Sequence, residues 1–278
     1  MGALRRAGAD IALQLVDHDP ASVSAIVSRT PTAVGAGLNP NNLAAGFARF
    51  AADCAAATKC KANGDLQQAL AKTYARFATP VTTKVTEKVT GVPIVFDQRL
   101  LLDSMQTIRD LKFAPLVPGR LAGSVSGATD TVVATAYAEV QVDPWAWTLP
   151  THCQSADYLW PGLVTTSDDQ AGIFKAFTNK PFCDAVGPLP QFSPRANPTS
   201  SVPVLAVLPS YDIRSSVTTT KLIFGGFANT TIVEVPRIAD PLQQLTDCFY
   251  ATANAFLAAP GEKLDASCLT SPAISTLA

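Results

Sequence analysis

Residues 202–212 read VPVLAVLPSYD. The centre of this run, Val204, Leu205, Val207 and Leu208, is aliphatic, and the run is too short for a helix of ordinary length. It ends on a turn-former and an acid. That pattern predicts a fully buried parallel strand that delivers Asp212 at its carboxyl end. A second strand is expected over 231–235, with a helix over about 216–225 between the two and another over 243–257. Open parallel sheets hold their chemistry just outside the carboxyl ends of the strands. Asp212 and the loop after Val235 are therefore where a site is expected.

The chain has 278 residues, enough for about two domains. Its 21 Lys and Arg balance 22 Asp and Glu, so no global basic field argues for nucleic acid. No apolar run reaches the roughly 18 residues that a membrane helix needs. Six cysteines lie as near neighbours, Cys54 with Cys60, Cys153 with Cys183 and Cys248 with Cys268. Sequence proximity favours these three pairs and hence an oxidising, extracytoplasmic setting; six buried free thiols are the alternative. There is no CxxC and there are only two histidines, which argues against a zinc or other metal site, and no cofactor box is visible. Residues 1–9, MGALRRAGA, are not followed by the apolar core of a signal peptide. Paired cysteines without a leader lead to the expectation that the N-terminus of this chain is not the original one.

Residues 9–18 predict a short helix, apolar on most sides and hence buried, and Asp19-Pro20 stops it. A short strand is expected over 23–27. Residues 30–42 form a Pro/Gly/Asn loop, with Asn41 or Asn42 placed to cap the next helix. Three helical stripes follow: Leu43, Phe47, Phe50 and Cys54; Leu66, Leu70, Tyr74 and Phe77; Leu101, Met105 and Ile108. Residues 115–127 read as a loop, 129–140 as a helix, and 141–200 as irregular, with Trp145, Trp147 and Trp160. An all-helical and loop block, about 35–195, thus lies between two pieces of α/β pattern. The expected division is an α/β core over 1–34 and 196–278 and a helical cap or lid over 35–195, with the lid setting access to the strand ends.

Strand, acid, helix, strand and helix after a helical lid resemble the C-terminal half of the α/β-hydrolase fold. VPVLAVLPSYD, then IVEVP, DCFYATANAFLAAP and LDASC, look like the secreted tripeptidyl aminopeptidase-like branch, whose members are serine exopeptidases and related hydrolases. DCAAATKC at 53–60, THC at 151–153 and PFC at 181–183 look like the lid cysteines of that branch. The resemblance spans about residues 4–268. It implies an incomplete α/β-hydrolase sheet with a large helical lid insertion, a secreted or cell-envelope location, and a Ser–Asp–His triad in that chain order, with serine on a Gly-x-Ser-x-Gly turn.

Carried over residue by residue, the acid is Asp212. Near the histidine position the chain reads PRIAD, with Asp240 closest, and no histidine follows His152. The serine position falls in LRRAG, at or near Arg6, where only Gly8 fits the motif. Arg6 and Asp240 are a candidate salt bridge where serine and histidine would meet; two separate surface charges are the alternative. A guanidinium stays protonated and is no nucleophile. Asp212 reads either as the family acid or as a loop carboxylate capping the next helix. His18 ends a helix that leads into a strand, on the wrong end of the sheet for chemistry. His152 adjoins Cys153, and neighbouring side chains do not point at each other. Ser210 lacks a base. Losing serine or histidine from a triad costs on the order of 10⁶ in turnover, so peptidase activity near background is expected. The rival expectations are a binding protein that keeps a lid pocket for a peptide or a small acyl or amide ligand, and a fragment that needs an upstream chain and exposes a strand edge near 23–27.

Overall fold

The computed structural model describes residues 4–5, 8–31, 40–86, 91–105, 108, 114–126, 198–212, 215–239, 244–271, 275 and 277. A parallel sheet in the order β1-β2-β5-β6 organises the ends of the chain. Its strands are β1 (Leu4–Arg5), β2 (Ile26–Arg29), β5 (Val204–Pro209) and β6 (Thr230–Val235). β5 is central and buried at all six positions, as expected of a parallel strand covered on both faces. It pairs with β2 from Ile26↔Val204 to Arg29↔Val207, and with β6 from Val204↔Thr230 to Pro209↔Val235. β1 adds only Leu4↔Ser28 and Arg5↔Arg29. Both of these pairs lie beyond the stretch 23–27 where an exposed edge was foreseen. β2 also starts later than foreseen, because a 3₁₀ turn at Pro20–Ser22 precedes it and its ladder opens with Ile26 N–H on the Pro203 carbonyl, 2.8 Å.

Helices cover both faces. α1 (Gly8–His18) and α7 (Val217–Ile223) lie on one side, where Ala12, Leu13 and Val16 pack with Ile26, Val204, Ala206, Ile223 and Phe224. α8 (Thr246–Ala258) and α9 (Ser267–Thr270) lie on the other, with Phe249, Phe256 and Leu269 against Leu205, Val207, Val233 and Val235. The alternation of period two along β5 sends Val204 and Ala206 to one core and Leu205 and Val207 to the other. α1 is not buried all round. Ile11 and Leu15, four residues apart, are 51% and 47% exposed, because a helix laid on one face of a sheet buries only one stripe.

The intervening block has a third core of its own. It comprises α2 (Pro40–Ala56), α3 (Thr58–Lys61), α4 (Leu66–Arg76), β3 (Val81–Thr86), β4 (Pro93–Phe96), α5 (Gln98–Met105) and α6 (Val117–Ser126). The three stripes foreseen from the sequence are core faces: Leu43, Phe47, Phe50, Cys54, Leu66, Leu70, Phe77, Leu101, Met105 and Ile108 are all buried. Two expectations are corrected. The block is not all helical: β3 and β4 form an antiparallel hairpin, Val81↔Phe96 and Thr82↔Val95, favoured by a run of β-branched residues and anchored by Phe96 edge-on to Phe77 at 4.7 Å. Residues 117–126 are helix, not loop. Pro118 occupies the first turn, where no N–H is required, and the helix packs along α4, with Arg76 Nη1 donating to the Ser124 carbonyl at 2.6 Å.

Disulfides join Cys54 to Cys60 and Cys248 to Cys268. Cys153, Cys183, residues 129–140 and the three tryptophans lie outside the described residues. Among the described residues, no helix is long and apolar enough to cross a membrane, and no group of His, Cys, Asp and Glu could hold a metal ion.

Candidate functional site at the carboxyl edge of the sheet

Ser210, Tyr211 and Asp212 follow β5 directly, and all three are buried. The turn is closed by Asp212 N–H donating to the Pro209 carbonyl at 3.1 Å. The sequence thus folds as its pattern requires: an apolar strand that cannot end inside the core is terminated by a Pro-Ser turn, and the turn leaves a carboxylate at the sheet edge, 5% exposed. Asp212 is not the cap of the next helix. That role belongs to Ser216, whose Oγ accepts from the Thr219 N–H at 3.0 Å.

The segment after β6 folds back onto this turn. Arg237 N–H donates to Ser210 Oγ at 2.9 Å, and Ser210 N–H donates to the Val235 carbonyl at 2.9 Å. Arg237 sits in the left-handed region at φ 59°, and Thr30, just after β2, does so at φ 48°. Neither is glycine, and Thr30 is β-branched, so both backbones are strained. They are the two such residues among those described, and both stand at the carboxyl edge, on the strands that flank β5.

α2 is tied to the same edge from above. Arg49 Nε donates to the Ser210 carbonyl at 2.9 Å. Tyr211 Oη donates to Asp53 Oδ2 at 2.8 Å, while its ring meets Phe50 edge-on at 5.2 Å. Asn42 does not cap α2: it lies inside that helix, and its amide donates to Thr219 Oγ1 at 3.0 Å, joining α2 to α7. Tyr211 is thus part of the core of the intervening block although it follows a strand of the sheet. Burial above all, then the hydrogen bond and the charge of Asp53, push the Tyr211 phenol far above its ordinary range; Arg237 pulls in the opposite direction. The phenol is therefore a neutral donor at every ordinary pH and holds the Asp53 carboxylate.

Of the residues singled out from the sequence, Asp212 and Ser210 are at this edge. Arg6 and Asp240 lie outside the described residues, as does His152. His18 is exposed in the last turn of α1, the helix that runs from β1 to the start of β2, and so stands at the amino edge. The residues that sequence reasoning missed are Arg49, Asp53, Tyr211 and Arg237. Arg49 and Asp53 are a polar pair four apart, each one residue off the apolar stripe of α2, and that offset was the available signal.

No protein-family model matches this chain, and no curated protein matches it. Its chemistry is accordingly read from the edge itself. The described groups there are a buried carboxylate, a hydroxyl that accepts a backbone hydrogen bond, a phenol bound to a second carboxylate, and two guanidinium groups.

Proposed function

We propose that this chain is an α/β-hydrolase-like protein, related to the secreted serine exopeptidases of the tripeptidyl aminopeptidase-like branch, in which the hydrolytic chemistry is impaired. The observation that carries this reading is a buried Asp212 at the end of a central parallel strand, with the segment after β6 hydrogen-bonded to Ser210. Hydrolysis by a triad needs an imidazole between the acid and a hydroxyl. His18 is at the opposite edge, and Ser210 Oγ is occupied as an acceptor for a backbone N–H. In sequence Arg6 and Asp240 fall nearest the serine and histidine positions that the resemblance implies, and neither supplies a nucleophile or a neutral-pH proton shuttle. The intervening block is read as the lid, and Cys153–Cys183 as its remaining disulfide, in a secreted protein; the two disulfides seen fit such a setting.

The test is labelling of the oxidised, folded chain with a fluorophosphonate probe, followed by intact mass. No adduct is expected. An adduct mapped to a serine would show a competent nucleophile and overturn the reading. A binding role for the same edge is the second reading, favoured by the ties from Arg49 and Asp53, which hold α2 as a fixed wall. It requires a ligand that raises the melting temperature, and silence across a peptide and lipid panel counts against it.

A further inference from the structure

We propose that the outer edge of β6 is a self-association surface, where two copies of the chain join their sheets, β6 against β6, in antiparallel register about a two-fold axis at Ile232. β6 pairs on one side only, with β5. Its orientation is fixed at both ends: Val204 N–H donates to the Asn229 carbonyl at 2.8 Å, and Ser210 N–H donates to the Val235 carbonyl at 2.9 Å. Residues 229 and 235 thus turn their backbone groups towards β5, and by the alternation of a strand so do Thr231 and Val233. Thr230, Ile232 and Glu234 turn theirs outward. Among the described residues, nothing bonds to the outward backbone groups of these three.

Donors and acceptors at every second residue are matched by another extended strand, and that identifies the occupant as a strand. β6 itself is such a strand: TTIVEV is β-branched at every position but Glu234, its ladder runs without a bulge, and it holds no proline. Charge sets the register. With the axis at Ile232, each Glu234 faces the Thr230 of the other copy and Ile232 faces Ile232. An axis at Glu234 would set two carboxylates directly opposite each other, which destabilises a pair of strands. In the Ile232 register three opposed residue pairs exchange about six backbone hydrogen bonds. Ile232, half-buried against the core under α1 and α7, gains cover from its own counterpart. This surface stands on the backbone geometry of the sheet and does not depend on kinship with hydrolases.

The test is sedimentation velocity on the full, oxidised chain between about 1 and 300 µM, the range in which a small interface associates. A reversible monomer–dimer equilibrium is expected. Thr230→Lys should tighten it, by setting a lysine opposite each Glu234, and Thr230→Glu should weaken it, the two dissociation constants differing by about tenfold. Thr230 is half-buried, and both variants lose the same hydrogen bond, from Thr230 Oγ1 to the Phe227 carbonyl at 3.3 Å, so the comparison isolates the charge. Circular dichroism reports whether each variant keeps the fold of the parent. Hydrogen exchange supplies a readout on the parent alone: the Ile232 amide should exchange more slowly as concentration rises, while that of Val233, already turned to β5, should not change. A monomer at every concentration, equal dissociation constants in the two variants, or exchange at Ile232 that does not depend on concentration would each overturn the proposal.

Discussion

The two edges of the parallel sheet are built by different means. At the amino edge backbone ties dominate: Ile26 N–H on the Pro203 carbonyl, Val204 N–H on the Asn229 carbonyl, and a reciprocal pair between Ser200 and the 226–228 turn, all at 2.8–3.0 Å. At the carboxyl edge side chains from two elements, Arg49 and Asp53 of α2 and Ser210 and Tyr211 of the turn after β5, add to the backbone ties, and two non-glycine backbones are strained. The amino edge is what a sheet needs in order to end. The carboxyl edge holds buried polar groups and strain that folding alone does not require, and such features collect where a protein does its chemistry or binding.

The sharpest way to separate the two edges is to damage each and read the change in stability. Gly226→Val strikes the amino edge. A Cβ at Gly226 would collide with the Pro198 carbonyl oxygen and crowd the Thr199 backbone, which cannot swing aside as a side chain can. A loss of about 2–3 kcal/mol is expected in urea unfolding, typical of overpacking.

Tyr211→Phe strikes the carboxyl edge. It removes the donor to a part-buried carboxylate and should cost about 2 kcal/mol by the same measurement. Its pH signature is specific. The folded phenol has a raised pKa, so its contribution is fully present below the ordinary tyrosine value of about 10 and is lost as pH rises beyond it, when the unfolded chain ionises and the native state resists. Unfolding free energies followed above about pH 10 should fall less steeply in Tyr211→Phe than in the parent. Equal slopes would mean that the phenol is not held as described.

Arg237→Gly is a smaller effect with the opposite sign. Glycine relieves the left-handed strain at φ 59°, and the flexibility it adds to the unfolded chain returns part of the gain. A net stabilisation of up to about 1 kcal/mol is expected in urea unfolding. A site held under strain for function behaves in this way; destabilisation would show that the strain is only apparent. Smallest of all, His18→Ala at the amino edge should change stability by no more than about 0.5 kcal/mol, as an exposed side chain in a last helical turn allows.

Much of this framework was legible in the sequence because parallel strands announce themselves. The run from Val204 to Leu208 has no polar interruption, and β6, α7 and α8 follow it where the turn-formers permit. The helical stripes of the intervening block were readable for the same reason: each repeats with the period of its own element. Elements whose composition argues against their own type were not readable. Pro118, Gly119 and Gly123 gave α6 the look of a loop, yet a proline in a first turn costs little and α4 supplies the packing. The hairpin of β3 and β4 has a β-branched run that favours strand, but Phe96 fixes it through a partner, Phe77, that no local window contains. The site divides likewise. Asp212 was visible from its place at the end of an apolar run. The ties of Tyr211 to Asp53 and of Arg49 to Ser210 span more than 150 residues of chain and leave only a faint polar offset beside a core stripe.

The most direct test of the central claim, that the carboxyl edge retains an acid without hydrolytic machinery, is turnover of a chromogenic tripeptide ester by the folded chain, by His152→Ala and by Ser210→Ala. The account predicts that all three release product no faster than buffer. Turnover above buffer that vanishes in His152→Ala or Ser210→Ala would contradict it.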